Sequence, residues 1–456
     1  MSDKTIRNET SSIGINKAKH NFLRVSRKRA ERCALGMLLS AGLISAQAAE
    51  SDQYSLLESI KTGKSMSSLR LRYEHAEQDN RSKNADAFTL RTLVGWQTAD
   101  FHHVSLGIQL INVAKLTDNF NDMDKGEPQP GMVNYPAIVD PGSTGVNQLY
   151  LDWNGSKDTS IRLGRQSVKL DNVRFIGNIE FRQVMQVFDG IAIENKSLPD
   201  TSLYFAHFER VKQINNRKRS GNLDIVHATY SISPGETLTA YGYFNNFNDL
   251  GFNASNGLGA DADASNKTLG LRLDGIRTLN DTWKFLYTAE YAKQTDYSSG
   301  DSRIDAHYLR LGVGAMIKGW YLRIDQEQLS SNHGRYAFQS PFGTNHLFQG
   351  WNDHFLVTPV WGIKDSFLSF GGKPLPQLSL LGEFHLFRAE ESFSQFNGGA
   401  GNRYGNEIDL AASWSCSKQL SLKVEYAHFR EGDRIAVTSS RKPDLERIWF
   451  TALYTF

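Results

Sequence analysis

The stretch "RIWFTALYTF", residues 447–456, places an apolar or aromatic side chain at every second position: Ile448, Phe450, Ala452, Tyr454 and Phe456. Terminal residues of soluble domains usually fray, so a strand reaching the last residue implies that the terminus is structural. A closed β-barrel has this requirement, because its last strand must pair with its first.

The same period of two recurs along the chain. Leu69, Leu71 and Tyr73 alternate with Arg70, Arg72 and Glu74, and Trp283, Phe285, Tyr287, Ala289 and Tyr291 alternate with Lys284, Thr288 and Glu290. About eighteen such segments run from 65–75 to 444–456, and segments of ~9–11 residues suit tilted transmembrane strands. Eight short turns alternate with nine longer loops, among them 114–145, 167–184, 211–221, 329–363 and 389–404. All eleven prolines are expected in turns or loops, as a sheet without a free edge demands. Five of the eight tryptophans (Trp96, Trp153, Trp283, Trp320, Trp414) lie near short turns, where an aromatic girdle would meet one membrane interface. The fold expected is an all-β, antiparallel transmembrane barrel of about 18 strands over residues 65–456, its final Phe456 the signal read by barrel assembly machinery. A soluble sandwich would explain neither the alternating connection lengths nor the tryptophans.

The first 48 residues read as a cleaved signal peptide. Nine basic residues precede or flank a twelve-residue apolar run, Cys33–Ile44, followed by small residues at Ala46 and Ala48. Residues 49–64 then form a short periplasmic lead. Beyond residue 48 there remain 42 basic and 46 acidic groups, which argues against a nucleic-acid partner. Only Cys416 remains of two cysteines, so neither an intrachain disulfide nor a cysteine metal cage is expected. The expected location is the outer membrane, with lipid and lipopolysaccharide as surroundings.

With lipid on the apolar face, the polar face lines a lumen. Arg70, Arg72, Arg91, Arg162, Arg272 and Arg323 are inward candidates, with Glu74, Glu290 and Asp325 among them. Arginine is permanently charged and its planar fork matches carboxylates, so such a group suits an anionic saccharide or small organic-acid solute. The loop 167–184 carries Lys169, Asp171, Arg174, Glu180 and Arg182 amid Val, Ile and Phe that a loop in water would not need. Such a loop is expected to fold into the barrel and narrow it.

Around this loop the chain resembles the alginate export family of outer-membrane barrels. The resemblance rests on Gly164-Arg165-Gln166, Leu170-Asp171-Asn172, Arg174-Phe175-Ile176-Gly177, Phe181-Arg182-Gln183 and Phe188-Asp189-Gly190, and continues at 346–356 and 368–373. It implies an eighteen-stranded barrel whose basic constriction passes a polyuronate and is closed by loops when idle. Arg165, Arg174 and Arg182 match the motif, whereas Arg70, Arg72 and Arg91 match by position in the first strands.

The basic loop 210–220 suits holding an incoming or emerging polyanion, with contact to lipopolysaccharide phosphates or plain solvation as the favoured reading. The loop 329–363, with His333, His346, Asp353, His354, Trp351 and Trp361, reads as a packed lid or sugar-stacking platform. No catalytic residue is expected, because no Ser/His/acid grouping stands out, and no metal or cofactor, because His346 and His354 are eight apart in irregular structure. Two alternatives stay open: a general-diffusion porin, and an outer-membrane or secreted carbohydrate-active hydrolase or lyase.

Overall fold

A computed structural model describes residues 55–249, 251 and 256–456. The signal reading at residues 1–48 and the start of the lead lie outside the described residues. Eighteen strands form the wall: Ser68–Gln78, Ala85–Gln97, Val104–Lys115, Ser143–Ser156, Thr159–Gln166, Val187–Asn195, Thr201–Lys212, Lys218–Ser233, Glu236–Asn246, Asn266–Thr278, Trp283–Asp296, Asp305–Ile317, Trp320–Leu329, Ile363–Leu375, Leu378–Ser394, Ala400–Ser415, Leu420–Glu431 and Leu445–Thr455. Each pairs antiparallel with the next, and Leu445–Thr455 pairs with Ser68–Gln78, setting Trp449 opposite Glu74 and Phe450 opposite Tyr73. The terminal run thus closes the barrel. A two-residue strand, Lys64–Ser65, adds to Gln97 and Trp96. Before it stands a short helix, Leu56–Lys61, capped by the Ser55 hydroxyl accepting from the Glu58 N–H, an element the sequence reading of the lead did not contain.

Burial is inverted relative to a soluble protein. Ile324 is 63% exposed while its neighbour Asp325 is 2% exposed, and Leu71 faces outward between the buried Arg70 and Arg72. A lipid solvent reverses the preference, since the apolar side chain belongs outside and the polar one against the lumen. Trp96, Trp153, Trp283, Trp320 and Trp414 all sit at short-turn ends of strands. Ten of the eleven prolines lie outside the strands; Pro374 falls within Ile363–Leu375, at a register shift beside the turn where a missing donor is tolerated. The loops expected at 211–221 and 389–404 are largely extended hairpin, because the strands continue to Lys212 and Ser394 and resume at Lys218 and Ala400. Charged residues there marked the end of the lipid band, not of the ladder.

Two long connections fold inward. Loop 167–186 and loop 330–362 meet at a parallel bridge, Ile176 to Phe342. Phe175 packs 5.2 Å from Tyr308, 5.4 Å from Tyr241 and 5.9 Å from Phe338, so the lumen holds an aromatic core made by wall and loops together. The apolar residues of 167–184 are used there.

Candidate pore constriction

Arg70 and Arg91 stand directly opposite each other on adjacent strands, with Arg72 two residues further along. Like charges in that arrangement repel. The descending loop relieves them. Arg70 donates to the carbonyls of Glu180 (2.6 Å) and Arg182 (2.5 Å) and to the Gln183 side chain (2.9 Å). Arg72 donates to the Phe181 carbonyl and lies 4.0 Å over its ring. Gln183 is fixed in turn by its N–H on Asp140 (2.6 Å) and its amide on Thr89 (2.8 Å). The Arg72 Nε and Nη2 and the Arg91 Nε and Nη1 are buried with no protein acceptor.

Arg182 and Arg174 are latches between loops and wall. Arg182 reaches Glu74 at 3.0 Å and Asp353 at 2.6 Å, and Glu74 also pairs with Arg447 at 2.5 Å. Burial alone would lower the Arg182 guanidinium, but Glu74, Asp353 and Asp140 raise it above its ordinary value. Asp353 is held below the usual carboxylate range against its own burial by His346, Arg182 and Arg447. Burial lowers the His346 imidazole, which stacks on Phe181. Arg174 pairs with Glu327 at 2.9 Å and donates to Ser340, Asn345 and Gln349, joining the two loops to the opposite wall. Asp171 accepts from His227 at 2.9 Å.

On the short-turn side of the loops, a cavity of about 400 Å³ is lined by Arg272, Arg310, Arg323, Asp325, Glu327 and Glu383, among others. Arg323 bonds Asp325 at 2.9 Å, Arg310 approaches it at 3.3 Å, and Arg272 pairs with Asp274. Glu290 accepts from the Tyr241 hydroxyl at 2.8 Å. On the outer side a second cavity, of about 310 Å³, is lined by Arg182, Arg217, Arg219 and Asp353. The two docked loops lie between these cavities, at the waist of the lumen.

The family described as alginate export matches residues 66–447. The chain belongs to the alginate export family. Solved structures share the fold: OpdQ of Pseudomonas aeruginosa (TM-score 0.63, 14% identity, 88% of this chain and 99% of that one), OccAB2 of Acinetobacter baumannii (0.65, 15%, 87% and 99%) and OpdK of P. aeruginosa with vanillate (0.61, 13%, 85% and 97%). No curated protein matches the chain. This alginate export family member is accordingly a closed outer-membrane porin-type barrel.

The family motif has a local physical reason. Gly164 and Gly190 face each other across the ladder, Gly164 at φ 129°. A Cβ on Gly190 would meet the His207 carbonyl oxygen at 2.1 Å and one on Gly164 the Leu149 carbonyl oxygen at 2.3 Å. The wall is pinched where the inward loop leaves and re-enters it. One motif residue stands elsewhere than expected. Arg165 shares the outward face with Leu163 and its partner Leu149, both exposed, and makes a bidentate pair with Asp189 at 2.7 and 2.8 Å. It lines a cavity with Lys212 and Lys218, not the lumen waist. Sequence reading assigned it to the pore by motif, whereas the period of two, counted through Gly164, turns it outward. The same counting would have found Arg310 and Arg447, inward residues that reading missed.

Proposed function

We propose that this barrel passes small organic acids or uronate-type saccharides across the outer membrane by passive diffusion, with Arg70, Arg72 and Arg91 as the anion-attracting side of the waist. The observation that carries this reading is the set of buried guanidinium nitrogens on Arg72 and Arg91 that no protein acceptor satisfies. A buried cationic donor left unpaired is costly, and a passing carboxylate relieves that cost. Vanillate, the carboxylate named with OpdK, is consistent with an organic-acid solute in a barrel of this fold. The chain acts without catalysis in this reading. Residues 1–48 serve as the export signal, the strand ending at Phe456 is presented to barrel assembly machinery, and the 210–220 hairpin lies toward lipopolysaccharide.

The test is the reversal potential of the purified channel in a planar bilayer under a salt gradient, for the native protein and Arg72→Ala/Arg91→Ala. Anion selectivity that falls in the variant, with heat-modifiable gel migration retained, supports the reading. A channel that is unselective in both forms is a general-diffusion porin and overturns it.

A further inference from the structure

Four strands away from the arginines, the wall carries Asp365, Glu383, Glu407 and Asp409 around a single imidazole, His385. Among the described residues no lysine or arginine stands within ion-pair distance of these four carboxylates; three of them, Asp365, Glu383 and Asp409, pair only with His385. The ring is fixed on both sides. It stacks 4.9 Å from Phe367 and 5.3 Å from Phe387, and its Nδ1 meets Asp365 at 2.9 Å.

A neutral ring that keeps its proton on Nδ1, toward Asp365, presents the Nε2 lone pair to Glu383 and Asp409. Nε2 lies 3.5 Å from Asp409 Oδ2 and 3.8 Å from Glu383 Oε2, too far for hydrogen bonds. His385 is 3% exposed and its Nε2 has no partner; Asp409 is fully buried and both its oxygens lack donors. One donor atom from each of the three residues lies within 4.8 Å of the others. Arms of ~2.1 Å from a tetrahedral Zn²⁺ set neighbouring ligand atoms about 3.4 Å apart. A carboxylate on the far ring nitrogen is the usual orienting partner of a metal-bound histidine.

We propose that Glu383, His385 and Asp409 form a site for a Zn²⁺-class divalent cation in the lumen wall. Glu383 and His385 also line the inner cavity, so the fourth position opens toward the solute path and takes water or a solute carboxylate. The cation offsets an acidic sector that the protein leaves without positive charge. Three donors on two adjacent rigid strands hold it without loop movement.

The experiment uses the tag-free, detergent-purified barrel stripped with chelator, titrated with Zn²⁺ by calorimetry and with Co²⁺ by visible absorption. The expected result is one Zn²⁺ per chain, a four-coordinate Co²⁺ spectrum, and at least tenfold weaker binding in Asp409→Asn and His385→Gln. Glu383→Gln, the most exposed ligand, provides a variant least prone to disturb folding, and heat-modifiable migration checks each protein. Native protein that binds Zn²⁺ no more tightly than the folded variants, or holds Co²⁺ only in its hydrated form, overturns the site and leaves a proton shared among the carboxylates as the balance of charge.

Discussion

The waist is held by two sectors that work with opposite charge. On the first strands, arginines grip the descending loop 167–186 by its carbonyl oxygens. On the strand Ala400–Ser415, Glu407 grips loop 330–362 by one backbone N–H, accepting from Asn352 at 2.7 Å beneath Gly350 at φ 78°. Cations take carbonyls and anions take amides, so each loop is fastened through its backbone as well as through the side-chain latches of Arg174 and Arg182. The difference lies in what remains. The arginine sector keeps unbonded donors for an anion, and the carboxylate sector keeps unbonded acceptors for a cation.

The largest expected effect comes from removing the latch that ties the two loops to each other and to the first strand. Arg182→Ala leaves Asp353 with His346 alone and Glu74 with Arg447 alone, and breaking a buried pair on one side costs ~3–5 kcal/mol. Single-channel conductance is expected to rise severalfold, with loop 167–186 newly open to protease. Conductance equal to the native value would show that the carbonyl contacts of Arg70 and Arg72 suffice to hold the loop.

A smaller effect belongs to the anionic grip. Glu407→Ala strands the buried Asn352 N–H at a cost of ~1–3 kcal/mol, whereas Glu407→Gln keeps an acceptor and changes little. Equal loss in both variants would mean that the charge, not the hydrogen bond, fastens this loop.

The sequence revealed most of the wall and little of the waist, for reasons visible in individual residues. Ile324 beside Asp325 announces a lipid face and a lumen face without any knowledge of partners, since each side chain answers to its solvent. Arg174 does not announce Glu327, 153 positions away, because the contact depends on a loop path that no periodicity encodes. His385 and Asp409 each sit on readable strands, but the register that sets Glu383 opposite Asp409 is fixed only by the hairpin between them.

Acid is expected to loosen the outer loop more gradually. Burial, with Lys442 and Arg447, pushes His354 down to about 3, while its released form titrates near 6.5. The released loop therefore binds more protons than the docked one, and docking weakens as pH falls from about 6.5 toward 3. Burial likewise pushes Lys442 down to about 8, so docking tightens further as pH rises from about 8 toward its ordinary 10.5. Open-channel probability should fall with rising pH across both windows. A flat profile in His354→Gln below pH 6.5 would assign that limb to His354.

The smallest effect separates an arginine of the waist from one of the outer face. Arg165 and Asp189 are partly exposed, side chains 19% and 25%, so their pair is expected to contribute at most ~1 kcal/mol. Arg165→Ala should leave conductance and reversal potential at native values while Arg72→Ala/Arg91→Ala lowers anion selectivity. A selectivity change in Arg165→Ala would mean that its field reaches the solute through the pinched wall at Gly164 and Gly190, and the division between outward and inward arginines would have to be redrawn there.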